Sequence, residues 1–408
     1  MFESKSYMKP SQLLTPLLLC LHLSANLIGF TSSNAYAEER LCPDGKRSYF
    51  GVCPEEGDNS RPLQSEPPSA KPPTTPSISD SIDVRWRLAS GFPKSLDMIF
   101  GASTHFAKDV SDRTNGKFMI SLHSAGELTR PSEVLDAVQA DSIEMGHIIS
   151  NDYYIKDPAW TMGGWQLFGV NSSPTDSWLT SNEGRQEFSR FTEAHNIMSF
   201  PLGTMSGNVT ASNTNNYVST IIGWWCRKPI SRLTDLKGLK VRLEGSESII
   251  WSKLGVIPVK IPAGMIYPAL EKGEIDCASH IGPHDDIKYG LYKVAPIFMT
   301  FNSNINARSS IQTHLIINAN AWRKLPEKYQ KAIQDASSET QIWLQEKSLY
   351  ANAYAFKLLI DYGAKTMVMP KEVTAALKNT ALNEYEDQAA KSPEFSRLYR
   401  AWQKANTR

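Results

Sequence analysis

Apolar and polar side chains alternate from Val84 to Ser90, the period of a β-strand with one buried face. From Leu96 to Arg113 the spacing becomes helical, placing Ile99, Phe100, Phe106, Ala107 and Val110 on one face. Phe118 to Leu122 reads as a second strand. Ser132 stands where it would cap a helix through Val138, with Glu133 and Asp136 near the positive end. Ile143 to Ile149 is a third strand. Strand, helix, strand, helix, strand predicts a parallel sheet with right-handed crossovers.

The same logic restarts near Trp224 and continues through Val241, Ile257 to Ile261, and Ile275 to Ala278. After Pro296 the chain returns through a strand at Thr313 to Asn318, then a helix from Pro326 to Ile333. A long helical stretch from Ser337 to Tyr362 follows. The roughly 325 residues after Asp83 suit two lobes better than one core. The expected fold class is α/β: lobe I over residues 84–223, lobe II over 224–300, and a returning strand with C-terminal helices, 301–408, shared by both. Ligands of open parallel sheets sit beyond the carboxyl ends of the strands, so an interdomain cleft is the expected site. Asn151 to Tyr154 follow a strand of lobe I and face it from one side. Trp224 and Trp225, adjacent in a strand, point to opposite faces, one into a core and the other toward the cleft.

The first residues read differently. Lys5 and Lys9 precede an apolar run from Leu13 to Leu23 and small residues ending Ala35-Tyr36-Ala37, which predicts a secretory signal over 1–37, cleaved after Ala37. Pro16 and His22 interrupt the run, which is short for a membrane span of about 20 residues. Export places the remaining cysteines in an oxidising compartment. Cys42 and Cys53 bracket a turn-rich loop (38–53) that a disulfide would close. Cys226 and Cys277 are read as two buried free thiols. Residues 54–83, rich in Pro and Ser with almost nothing apolar, form a disordered linker.

A formal net charge of +1 with mixed signs, and no basic stripe interleaved with aromatics, argue against nucleic acid. No activated nucleophile, phosphate-cradling glycine loop or paired acid and base stands at convincing spacing, so neither catalysis nor a cofactor is expected. One cation stands out. Asp235-Leu236-Lys237-Gly238-Leu239-Lys240-Val241-Arg242 is a turn feeding a short strand that ends in an arginine, and Pro268 to Asp276 adds a helix broken at Gly273. A planar guanidinium at a strand end suits a carboxylate, which it grips with two parallel hydrogen bonds.

These segments, with Leu254-Gly255-Val256, Gly282-Pro283, Asp285-Asp286, Tyr292 to Pro296 and, upstream, Ala89 to Ser95, resemble the solute-binding subunit of tripartite ATP-independent periplasmic (TRAP) transporters. The resemblance runs over residues 84–405 and is nearest to the branch for 2-oxo acids, mannitol and chloroaromatic compounds. It implies a two-lobed periplasmic binding fold, an organic acid held by Arg242, and delivery to membrane permease subunits. It also implies a homodimer paired through the C-terminal helix, against the alternative that this helix braces its own lobes.

The chain departs from that pattern in three places. Ile221 stands where relatives place a polar side chain. Ser279 and His280 replace an acid and an aromatic, and Asn302 to Ile305 replace an acidic, tryptophan-rich segment. The metal ion that some relatives hold beside the ligand is therefore not expected. His280 and His284 share a face only on a helix, which Gly282-Pro283 argues against, so no metal site is assigned there. Asp285 and Asp286 are read as caps of the following helix. The expected ligand contacts are Arg242, Ser279, His280, Tyr153, Asn151 and Trp224. The rival reading is a non-transport periplasmic sensor or interaction module with a diverged site.

Overall fold

Two compact units divide the chain, Met1–Pro76 and Ser77–Arg408. The structure is a computed structural model and describes residues 83–164, 166–168, 178–206, 223–301 and 310–406, with the strand pairs 40–41/47–48 and 209–210/217–218. The expected signal, Cys42, Cys53, the linker to Ser81, Ile221 and residues 302–305 lie outside the described residues. In the first unit, β1 (Arg40–Leu41) and β2 (Arg47–Ser48) pair antiparallel.

The second unit contains two larger sheets. In the first, β3 (Val84–Ser90) is flanked by β4 (Phe118–His123) and β5 (Met145–Ile148), both parallel to it. The crossovers are α1 (Asp97–Arg113) and α2 (Val134–Gln139), as the periodicity predicts. Ser132 does not cap α2: it lies in a 3-10 turn, Pro131–Glu133, and Glu133 holds the cap position. The Pro131 ring fixes the backbone one residue before Ser132, so the first turn forms there instead. After α3 (Asn182–Ala194), the strand β6 (Ile197–Ser206) ends this sheet, and β7 (Val209–Thr210) and β8 (Tyr217–Val218) pair with each other.

The second sheet takes β9 (Trp224–Cys226), β10 (Lys240–Arg242), β11 (Ile257–Val259), β12 (Cys277–Ser279) and β13 (Ile297–Thr300). Crossovers are α4 (Gly245–Ser252) and α5 (Ile266–Lys272), while α6 (Pro283–Tyr289) and α7 (Leu291–Val294) lead to β13. The chain then re-enters each sheet once. β14 (Ser310–Asn318) inserts between β5 and β6, and β15 (Lys365–Val368) joins the edge of the other sheet beside β13. Between them lie α8 (Ala319–Lys324) and α9 (Glu327–Asp361), and α10 (Lys371–Lys391) and α11 (Pro393–Asn406) complete the chain. The two helices expected over 326–362 are one element of 35 residues. No Gly or Pro occurs between its ends, so nothing stops propagation.

Cys226 and Cys277 form a disulfide, correcting the expectation of free thiols. β9 runs antiparallel to β12 and sets the two cysteines directly opposite, with Cα atoms 4.2 Å apart. That register brings together residues 51 positions apart, which local spacing does not reveal. Trp224 and Trp225 do face opposite ways, but both are buried in core. Trp224 packs on Trp251 at 4.4 Å and Trp225 on Phe298 at 4.9 Å between ring centroids.

Two histidines are fully enclosed in the first sheet. His147 Nδ1 lies 2.7 Å from Ser103 Oγ, and His314 Nε2 donates to the Gly163 carbonyl. Burial, with the neighbouring His314 charge, pushes His147 down to about 3, and burial holds His314 at about 4 despite that carbonyl. The unfolded chain protonates these rings below about 6.5 while the folded one does not, so their contribution is lost as pH falls. Asp285, raised to about 6 by burial, works in the opposite direction over the lower part of this window. A difference experiment separates them. The stability margin of wild type over His147→Gln at pH 7.5 should shrink steadily between pH 6.5 and 4 in urea unfolding, and a constant margin would refute the assignment.

Candidate functional site

The carboxyl ends of β3, β5, β10 and β12 converge on one cavity of about 640 Å³. Its lining is largely apolar, with Phe92, Leu96, Ile149, Ile261 and Ile311 among the walls, and it carries a small set of charged side chains: Arg242, Lys260, Asp152, Glu244 and Arg130. This is where an open α/β sheet is expected to take a ligand.

Arg242 is the last residue of β10. Gly238, in the left-handed region at φ +76°, makes the turn that starts this strand. Arg242 Nε donates to the Ile261 carbonyl at 3.3 Å, Nη1 to the Ser279 carbonyl at 3.0 Å and Nη2 to Glu244 Oε1 at 2.7 Å. A guanidinium has five N–H donors; these contacts with described residues account for three. The two carbonyls anchor the fork on β11 and β12, and Glu244 neutralises part of its charge. Only 12% of the side chain is exposed.

Asp152 faces this group from lobe I. It is accessible from the cavity, yet protein surrounds it closely, and this desolvation is the main cause of a carboxyl pKa well above the usual range. The negative charge of Glu244 pushes the same way, against Arg242 and Lys260. Glu244 thus lies close enough to Asp152 for its charge to disfavour the ionised form of that carboxyl.

Four of the six residues expected from sequence line the cavity: Arg242, Ser279, His280 and Tyr153. Tyr153 is buried and its hydroxyl donates to the Pro131 carbonyl at 2.7 Å, which fixes the ring as a wall. His280 is anchored from behind. Its Nδ1 lies 2.6 Å from Asp286 Oδ1, and since a carboxylate only accepts, Nδ1 carries the proton. In the neutral ring Nε2 is then an acceptor; it is buried without a hydrogen-bond partner among the described residues. Asp286 Oδ2 in turn accepts from Trp225 Nε1 at 2.7 Å. Asp285 and Asp286 do sit in the first turn of α6, but Gly282 is the cap residue, and the main contacts of Asp286 are His280 and Trp225. His284 diverges to the lobe I helix, with Nε2 3.1 Å from Asp97 Oδ1, where the Lys288 ammonium joins both.

Asn151 and Trp224 do not line the cavity, a correction to the expected contacts. Trp224 is buried and consumed by packing on Trp251. Asn151 lies beneath the cavity, where Oδ1 accepts from Ser246 Oγ at 2.8 Å and from Thr161 Oγ1. It pins the lobe I loop to the start of α4. Gly245 permits the approach: its φ is +58°, and a Cβ there would lie 2.6 Å from the Asn151 carbonyl oxygen. Asp152, Glu244 and Lys260 were not among the expected contacts. Asp152 lies inside the Asn151–Tyr154 segment already placed at the cleft, and its charge was the signal available.

Residues 89–392 match the bacterial extracellular solute-binding proteins of family 7, and the chain belongs to that family. Over 320 residues it is 33% identical to a monocarboxylate 2-oxoacid-binding periplasmic protein of Nostoc sp., covering 78% of this chain and 83% of the relative. A TRAP transporter solute-binding protein from Bordetella bronchiseptica, crystallised as a mixed-occupancy dimer with copurified calcium and picolinate in one site, is 35% identical. It superposes with a TM-score of 0.71 over 79% of this chain and 92% of that one. A TRAP periplasmic solute-binding protein from Colwellia psychrerythraea with bound calcium and pyruvate is 26% identical, with a TM-score of 0.72 over 80% and 94%. The two-lobed solute-binding architecture expected from the residues around Arg242 is the fold of this chain.

Proposed function

We propose that this chain captures a small organic acid in the interlobe cavity and delivers it to the permease subunits of a TRAP-type transporter in the periplasm. The observation that carries this reading is Arg242: anchored by two carbonyls at the end of β10, it lines a cavity with apolar walls. A carboxylate takes such a fork in two charge-assisted bonds. The relatives add that 33% and 35% identical proteins bind monocarboxylate 2-oxo acids and picolinate. The site binds rather than catalyses, consistent with a family of binding proteins. The test is titration calorimetry of the mature protein against 2-oxo, hydroxy, amino and aromatic carboxylates, with and without calcium. Saturable heat for at least one carboxylate is expected, and no binding by any of them would refute the proposal.

The assembly we propose is a homodimer through α9. This helix spans roughly 52 Å at 1.5 Å per residue. It exposes Ile342, Leu349, Tyr350 and Tyr354, with Tyr350 74% exposed, while its opposite side packs on β6, α1 and α6. Apolar side chains in that number on one helix are more than a solitary surface usually leaves in water. Light scattering at micromolar concentration should return a dimer mass, and Tyr350→Glu should shift it to monomer. A monomer mass for wild type would leave the helix as a brace only.

A further inference from the structure

We infer that Asp157, His195 and Glu394 form a binding site for a zinc-class divalent cation, apart from the interlobe cavity, that ties the last helix of the chain to lobe I.

Three separate elements bring these side chains together. Asp157 caps the 3-10 turn Pro158–Gly163: its Oδ1 accepts from the Ala159 amide at 2.8 Å, which leaves Oδ2 for other partners. His195 is the cap residue at the carboxyl end of α3, and Glu394 stands in the first turn of α11. α11 packs on both α3 and the turn, so the three meet across one packed junction. One ligand atom from each lies within 4.8 Å of those of the other two.

The imidazole distinguishes this group from acids that merely share a surface. Its Nδ1 lies 2.9 Å from the Phe191 carbonyl oxygen, which only accepts, so Nδ1 carries the proton. In the neutral ring Nε2 then presents a lone pair, and Asp157 Oδ2 stands 3.9 Å from it. Two acceptors at that distance make no hydrogen bond. The spacing suits a metal instead: ligand atoms at about 2.0–2.2 Å from a tetrahedral zinc stand roughly 3.3–3.6 Å from one another. A histidine whose other nitrogen donates to a backbone carbonyl is also how metal-bound imidazoles are oriented. Packing fixes the ring further, with Phe191 at 4.6 Å and Trp160 at 5.8 Å between centroids. The helix N-terminus accounts for an acid at Glu394, but not for the imidazole lone pair beside it.

A second group with the same donor types gives the contrast. Asp97, His284 and Asp285 also converge within 4.8 Å. There the Lys288 ammonium stands 2.7 Å from His284 Nε2 and binds Asp97, so the chain supplies the positive charge itself. Among the described residues no lysine or arginine pairs with Asp157 or Glu394. A nitrogen among the ligands favours zinc over calcium or magnesium, whose ligands are oxygens. Three protein ligands leave one coordination position to water.

The test uses the untagged mature protein, stripped of metal by a chelator, with cobalt(II) and zinc(II) as probes. Bound cobalt should give a visible d–d spectrum that zinc abolishes by displacement, and zinc should raise the unfolding temperature. His195→Gln and, separately, Glu394→Gln should weaken zinc at least about tenfold in titration calorimetry, since even loss of an outer partner costs that much. Both should lose the cobalt spectrum and the thermal shift while circular dichroism stays unchanged. Asp97→Asn should keep all three signals. No saturable zinc binding to wild type, a zinc isotherm unchanged by both substitutions, or loss of the signals in Asp97→Asn instead would each overturn the inference.

Discussion

Arg242→Ala should weaken carboxylate binding at least about thirtyfold, the lower end of the roughly 2–5 kcal/mol lost when one partner of a desolvated charge pair is removed. The structure raises this expectation in one respect and complicates it in another. Removal frees the Ser279 and Ile261 carbonyls and leaves Glu244 with no guanidinium partner, so the cavity becomes more negative as well as losing its fork. Arg242→Lys separates the two effects. It keeps the charge without the planar pair of donors, and should recover part of the affinity but not the selectivity between carboxylates. Calorimetry on three proteins decides the matter, and unchanged affinity in the alanine variant would remove Arg242 from the site.

Asp286→Ala should be the most destabilising single change near the cleft, costing roughly 3–5 kcal/mol as the breaking of a buried polar pair does. Asp286 is 2% exposed and serves Trp225 Nε1, His280 Nδ1 and the Gly282 amide together. Its loss orphans an indole and an imidazole donor in an enclosed space. Urea unfolding measures the cost. Ligand affinity should fall as well, because nothing then fixes which nitrogen of His280 faces the cavity. Asp286→Asn retains one acceptor oxygen and should lie between. A loss below about 1 kcal/mol for the alanine variant would mean that the three donors find other partners.

Much of this was legible before any coordinates. Residues 84–148 declare their strands and helices by period alone, since β3 and β5 bury one or both faces and α1 carries a single apolar stripe. Arg242 was legible because a glycine turn and a two-residue apolar approach leave a strand only one place to end. What local pattern does not carry is register. The Cys226–Cys277 bond depends on β9 entering its sheet antiparallel beside β12, and that depends on the chain's passage between lobes. The acids of the cleft fail for a similar reason: Asp152 and Glu244 are 92 positions apart in number and meet only because two sheets present their carboxyl ends to one space. Asn151 looked like a ligand contact because its neighbours are, but a 3-10 turn directs successive side chains differently from a strand. Trp224 was decided by Trp251, a partner that no local window includes.

The bond between Cys226 and Cys277 also ties the cavity to the redox state of the chain. In a reducing compartment the two sulfurs stay apart and β9 is held to β12 by its ladder alone. Oxidation joins the strand through which the chain enters the second sheet to the strand that ends at Ser279. The bond thus adds a covalent tie between the entry strand of the second sheet and one wall of the cavity, so reduction acts on the position of Ser279 before it acts on any ligand contact.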